Sequence, residues 1–149
     1  MLLSKTCNYA LRAALYVASI NDREYIPINE ISRNLNISFH FLTKILQTLT
    51  ETGIMISFRG PNGGIKLTKH PQHIGLYEII LAIDGAKIFE KCVLGLDECH
   101  NSAPCPLHEQ WQNIRENLKK FFQKNTLETL TQEMLLKNFR ISNLPYYSM

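Results

Sequence analysis

The chain opens with helical spacing. Cys7, Leu11, Ala14, Leu15 and Ala18 recur at intervals of three, four and one residues behind Ser4, a residue type that caps helix N-termini. This predicts a first helix from Ser4 to about Ile20, broken at Asn21-Asp22-Arg23. Pro27 to Leu35 reads as a short second helix closed by Asn36, and Ser38 opens a third whose Leu42, Ile45, Leu46 and Leu49 share one face. Gly53 stands where a C-terminal helix glycine belongs. Two short helices meeting in a tight turn at Asn36-Ile37 predict a helix-turn-helix.

Beyond Gly53 the period changes. Ile54 to Phe58 and Ile65 to Thr68 read as strands, with Arg59-Gly60-Pro61-Asn62-Gly63-Gly64 between them as a hairpin loop. Directly after a helix-turn-helix, such a hairpin is a wing. Ile74 to Asp84 is a strongly apolar helix ending at Gly85, expected to pack the wing onto the first helix. Leu107, Trp111, Ile114, Leu118 and Phe121 then mark one face of a long helix that starts at Pro106 and reaches about Lys124. A last helix, capped by Asn125 or Thr126, runs through Leu127, Leu130, Met134 and Leu135, and the chain from Asn143 reads as unstructured.

The expected fold class is therefore mainly α with a small β-hairpin wing. Residues 1–85 form a winged helix-turn-helix, 86–105 a cysteine loop, 106–137 a dimerisation helix and a C-terminal helix, and 138–149 a tail. Trp111, Ile114, Leu118 and Phe121 offer more apolar surface than so small a domain can cover, which predicts a homodimer. In helix-turn-helix geometry the second helix lies in the major groove of double-stranded DNA. Its candidate contacts are Ser38, His40, Thr43, Lys44 and Gln47, while Arg59, Gly60, Pro61, Asn62, Gly63 and Gly64 of the wing reach the sugar-phosphate surface and the minor groove. A pair of recognition helices implies a near-palindromic operator.

Charge supports that partner. Residues 1–75 hold eight Lys or Arg against four Asp or Glu, whereas residues 76–149 hold eight against nine. The basic half coincides with the winged helix. A composition of 45% hydrophobic and 19% charged residues is ordinary for a globular protein. The opening residues lack the apolar run and cleavage site of a secretory signal, and no stretch has membrane-spanning length, so the expectation is a cytoplasmic protein with no membrane partner. No acid-base pair, phosphate loop or nucleophile constellation is present, which argues against an enzyme.

The remaining chemistry is in Cys92, Cys99, Cys105 and His108. Three of the four cysteines fall within fourteen residues, separated by six and then five positions. Such a loop can wrap one ligand with several sulfurs. An iron-sulfur cluster, a structural zinc and free thiols all remain open on spacing, although zinc sites usually carry a closer cysteine pair. A disulfide framework suits neither the spacing nor the compartment. Cys7 reads as a buried core residue. His40, His70, His73 and His100 read as surface or loop histidines, with His100 a reserve ligand.

Taken together, the wing Arg59-Gly60-Pro61-Asn62-Gly63-Gly64, the Glu78-Ile79 helix ending at Asp84-Gly85, and Cys92, Cys99 and Cys105 followed by Pro106-Leu107-His108 and Trp111 resemble the IscR/NsrR family. The resemblance covers about residues 1–135. It implies a homodimeric winged-helix regulator, a repressor by expectation, whose operator affinity follows an iron-sulfur cluster that senses redox state, nitric oxide or iron-sulfur status. A two-iron cluster is the expected form, with four irons or zinc as alternatives. In the IscR-like branch a histidine three residues after the third cysteine is the fourth ligand, which implies His108 here. The NsrR-like branch takes an acidic residue near the partner's N-terminus, where this chain has Asn8, a poor iron ligand. The first cysteine gap departs from the family, being six residues where five is usual. A regulator of the same fold with a zinc, thiol-sensing or ligand-sensing site is the alternative.

Overall fold

The computed structural model describes residues 2–97 and 99–143. Helix α1 (Lys5–Ser19) starts at Ser4, whose hydroxyl accepts from the Cys7 amide at 3.0 Å. Ser4 is itself held by Asp84, which accepts from its amide and hydroxyl at 2.8 and 2.5 Å. Helix α2 (Ile28–Leu35) ends at Asn36 in the left-handed region, φ 52°, a conformation asparagine tolerates. Helix α3 (Phe39–Glu51) follows after Asn36, Ile37 and Ser38 and buries Leu42, Ile45, Leu46 and Leu49. This is the helix-turn-helix. One polar cluster joins α1 to α2: Tyr16 donates to Glu30 at 2.9 Å while Arg23 grips both oxygens of that carboxylate at 2.6 and 2.7 Å. Burial, then the Glu30 bond, push the Tyr16 phenol up to about 12.

Strands β1 (Met55–Phe58) and β2 (Gly64–Leu67) pair antiparallel, Met55 facing Leu67 and Phe58 facing Gly64. Met55 and Ile65 point into the core while Ile56 and Phe58 face outward, as the two-residue strand period requires. The wing is docked on α1 and α3 rather than on the apolar helix that follows it. Its anchor is a backbone exchange in which Ile26 and Ile65 trade two hydrogen bonds of 2.9 Å. Sequence patterning could not reveal that anchor, because Ile26 lies in a connection with no period of its own.

Helix α4 (Leu76–Asp84) packs on α1, α3 and the long helix, with Ile79 and Ile80 fully enclosed. A single turn, α5 (Lys87–Glu90), follows. Helix α6 (His108–Lys124) begins two residues later than the Pro106 start expected above: residues 105–108 form a turn in which the His108 amide donates to the Cys105 carbonyl at 3.0 Å. Helix α7 (Leu127–Lys137) is capped by Thr126 in a reciprocal box with Thr129 and returns to pack on α1. The Ile74 and Asn125 carbonyls accept from Leu127 and Leu76 at 2.9 and 3.0 Å, stitching the start of α4 to the α6–α7 turn. Residues after Asn138 continue along the domain: Ile141 packs on the core and its carbonyl accepts from Arg12 Nε at 2.5 Å. The expected tail beyond residue 143 lies outside the described residues. No helix among the described residues is long and apolar enough to cross a membrane.

Gly64 is where wing and body meet most closely. A β-carbon there would lie 2.2 Å from the Ile26 carbonyl oxygen, contact that no rotamer change relieves. Gly64→Ala is expected to cost about 1–3 kcal/mol in urea unfolding, in line with overpacked sites. An unchanged midpoint would show that the wing is not held by the Ile26 exchange.

Candidate functional site

Two surfaces carry chemistry. The first is the leading face of α3 with the wing. Ser38, His40, Lys44 and Gln47 are exposed, and Ser38 makes no side-chain cap, leaving its hydroxyl and the first α3 amides on the outside. Such a helix start suits a phosphate. Thr43 differs from expectation: its hydroxyl donates to the Phe39 carbonyl at 2.8 Å, so it is engaged with the helix itself. The Gln47 amide nitrogen donates to Glu51 at 3.0 Å, leaving the Gln47 oxygen as acceptor.

Arg59, Gly60, Pro61 and Asn62 form the exposed wing tip, while Gly63 and Gly64 are half-buried beneath it. Much of the basic excess of this half turns out to be satisfied internally. Arg23 pairs with Glu30, Lys66 with Glu24 at 2.5 Å and Lys69 with Glu78 at 3.2 Å. Arg12 donates to the Leu35 and Ile141 carbonyls. Lys44 and Arg59 face outward, and among the described residues no ion pair engages them, nor the exposed Lys5 and Arg33.

The second surface is the thiol loop where it meets the start of α6. Here the structure forms two pairs. Cys92 Sγ lies 3.7 Å from Cys105 Sγ, and Cys99 Sγ lies 3.3 Å from His108 Nδ1. Among the described residues no group of three or more Cys, His, Asp or Glu side chains stands at metal-binding distance, so the single point of convergence expected from the spacing is not formed. His100 is exposed on the same loop. Asn8 is half-buried in α1, whose main packing partners are α2, α3, α4, α7 and β2 rather than this loop.

The surroundings of the pairs were not legible in the cysteine spacing. His108 is buried, and its Nε2 stands 2.8 Å from Asn101 Oδ1. With Nε2–H donating to that oxygen, the lone pair sits on Nδ1, facing Cys99. Arg115, two helical turns into α6, donates to Cys99 Sγ at 3.5 Å and to the Glu90 carbonyl, and Trp111 Nε1 donates to the Lys91 carbonyl at 2.8 Å. These two side chains clamp the end of α5 to α6. The Leu94 amide, and then the Leu96 amide, hold the Cys92 thiol below its ordinary range. Cys7 is the opposite case, buried in the core beside Asp84 and pushed up to about 12 chiefly by desolvation.

The donor set fits an iron-sulfur cluster in kind: three thiols and an imidazole nitrogen with its tautomer set from behind. Arg115 Nε adds a second sign, being a buried donor with no partner among the described residues. A buried donor left unpaired is costly, and an anionic thiolate-held group beside Cys99 is an acceptor that would relieve it. The expected dimer residues divide. Trp111 and Leu118 turn toward their own domain, whereas Ile114 and Phe121 are 53% and 57% exposed. Phe122, absent from the expected stripe, is the buried partner of Phe89.

Residues 3–133 match the Rrf2 family, described as iron-dependent transcriptional regulators. The chain belongs to the Rrf2 family. It is 33% identical over 132 residues to an HTH-type transcriptional regulator of Aquifex aeolicus, covering 87% of this chain and 91% of that one. To the HTH-type transcriptional regulator IscR of Klebsiella pneumoniae it is 32% identical over 137 residues, covering 91% and 83%. Among solved structures, CymR, the global cysteine regulator of B. subtilis, superposes with a TM-score of 0.74 at 25% identity, covering 87% and 95%. IscR of T. potens shares the fold, with a TM-score of 0.69 at 18% identity, covering 97% and 93%. As an Rrf2 member the chain is a winged-helix transcription regulator and not an enzyme.

The Arg115 clamp can be tested without any cofactor. Arg115→Met keeps the aliphatic stem and removes the guanidinium bonds. Losing a charged hydrogen bond of about 1.5 kcal/mol should raise local opening of residues 86–105, and with it limited proteolysis of that loop, about tenfold. Unchanged cleavage would show that the clamp does not order the loop.

Proposed function

We propose that this Rrf2 protein binds a near-palindromic operator as a homodimer, and that an iron-sulfur cluster held by Cys92, Cys99, Cys105 and His108 controls its affinity. The observation that carries the reading is the Cys99–His108–Asn101 chain beside Arg115. It presents a sulfur, a nitrogen oriented from behind and a cation on one side of the loop. When bound, the cluster supplies a centre that oxygen, nitric oxide or iron shortage can alter. The chain's own residues do the rest. His108 opens α6, Arg115 and Trp111 tie the loop to it, and Ile114 and Phe121 on the same helix face outward toward a second copy. A change in the loop is thereby a change at the end of the helix that sets the spacing of two α3 helices.

A specific observation favours a second reading, in which the metal-free protein senses oxidants through thiols. Cys92 and Cys105 have their sulfurs 3.7 Å apart. A peroxide could take two electrons from this pair, joining the sulfurs and leaving as water with the two thiol protons. The two readings separate on one sample. Protein purified without oxygen should be brown, with matched iron and acid-labile sulfide, and Cys99→Ala should be colourless. Asn101→Ala should lower cluster retention about 10–100-fold by releasing His108 from its partner. Colourless wild-type protein that gains a Cys92–Cys105 disulfide on peroxide treatment would favour the thiol reading instead.

Docking through α3 and the wing makes its own demand. Lys44→Ala and Arg59→Ala should each reduce operator affinity and lower the salt dependence of binding by about one counterion per half-site, while leaving the visible spectrum intact. Salt slopes equal to wild type would place the DNA elsewhere on the molecule.

A further inference from the structure

The recognition helix presents an apolar surface at its leading end. Phe39, the first residue of α3, is 40% exposed, although phenylalanine is among the residues most often buried. Its ring stands edge-on to the His40 ring with centroids 5.7 Å apart. One turn on, Thr43 donates its hydroxyl to the Phe39 carbonyl at 2.8 Å. A threonine whose hydroxyl is bonded back to its own helix has its methyl group left to offer. Residues four apart lie one above the other on a helix, so Phe39 and Thr43 form one apolar strip. The exposed Lys44 and His40 flank it. On a surface read as meeting DNA, an apolar strip between polar neighbours has one complementary feature in the major groove: the C5-methyl of thymine, which phenylalanine and the threonine methyl contact without hydrogen bonding.

We propose that Phe39, supported by the Thr43 methyl, is a specificity-determining residue that reads a thymine methyl in each half-site. The inference rests on the DNA-binding reading above, and it narrows what α3 recognises. Phe39 selects thymine over cytosine at a step beside the Lys44 contact. Because the contact is apolar, it contributes discrimination that salt does not weaken, in contrast to the phosphate contacts.

The test starts from an operator obtained by selecting random duplex DNA on the full-length protein in whichever cofactor state binds. Each thymine is then replaced by deoxyuridine, which removes the methyl and changes no hydrogen bond. Wild-type protein should lose about fourfold in affinity for one thymine in each half-site, the amount expected for burying one methyl-sized group. Phe39→Ala should bind the unmodified operator more weakly and be indifferent to deoxyuridine at that position. The deoxyuridine scan needs no variant, so a folding defect in Phe39→Ala cannot mask the wild-type result. Failure to select any operator would overturn the DNA-binding reading itself. An operator bound equally with and without every thymine methyl would overturn only the Phe39 proposal, as would a deoxyuridine penalty that persists undiminished in folded Phe39→Ala.

Discussion

Enclosure of α4 is the constraint on which the rest of the structure depends. Ile79 and Ile80 are fully buried, and α4 packs simultaneously on α1, α3 and α6. Its position therefore sets both α3 and the helix that starts at the thiol loop. Tyr77 and Phe89 meet at a tilt with centroids 4.9 Å apart, and Phe89 meets Phe122 edge-on at 6.2 Å. This aromatic chain passes from α4 through α5 to α6. Packed interiors transmit displacement because they leave little free volume, so the loop and α3 share a packed connection even though they lie in different parts of the sequence.

The same connection explains why the polar groups around the thiols sit where they do. Arg115 and Trp111 donate to carbonyls at the end of α5, where a single helical turn leaves acceptors without partners of their own. The cysteines are therefore mounted on backbone that α6 holds. Cys99 meets a base and a guanidinium, whereas Cys92 meets backbone amides. Two residues of one type thus acquire different surroundings from their neighbours. Cys7 completes the contrast, since burial beside a carboxylate keeps its thiol protonated and inert.

On the helix-turn-helix and wing, the unpaired charge is smaller than composition suggests. The basic excess of residues 1–75 is substantially consumed in closing the domain: Arg23 and Glu30 lock α1 to α2, Lys66 and Glu24 brace the wing, and Arg12 bridges the α2 end and the C-terminal segment. Of the exposed cations without an ion pair among the described residues, Lys44 and Arg59 stand on α3 and the wing, and Lys5 and Arg33 on α1 and α2.

Periodicity determined the elements. The three- and four-residue spacing of α1, α3 and α4, the caps at Ser4 and Thr126, the left-handed close of α2 at Asn36 and the hairpin around Pro61 are local consequences of side-chain type and backbone sterics, and all were legible in the chain. The cysteine triad and its following histidine were equally plain as candidate ligands. Partners far apart in sequence were not. Asn101 behind His108, Arg115 beside Cys99, Ile26 against Gly64 and the inward turn of Phe122 are contacts between elements whose relative placement no local pattern encodes. Nor could spacing show that Thr43 bonds to its own helix or that Phe39 stays outside. Sequence fixes which side chains can share a face, because that follows from one helix or strand at a time. Which faces meet, and which polar groups are thereby satisfied or left to a ligand, is decided only when the packed core sets the distances between them.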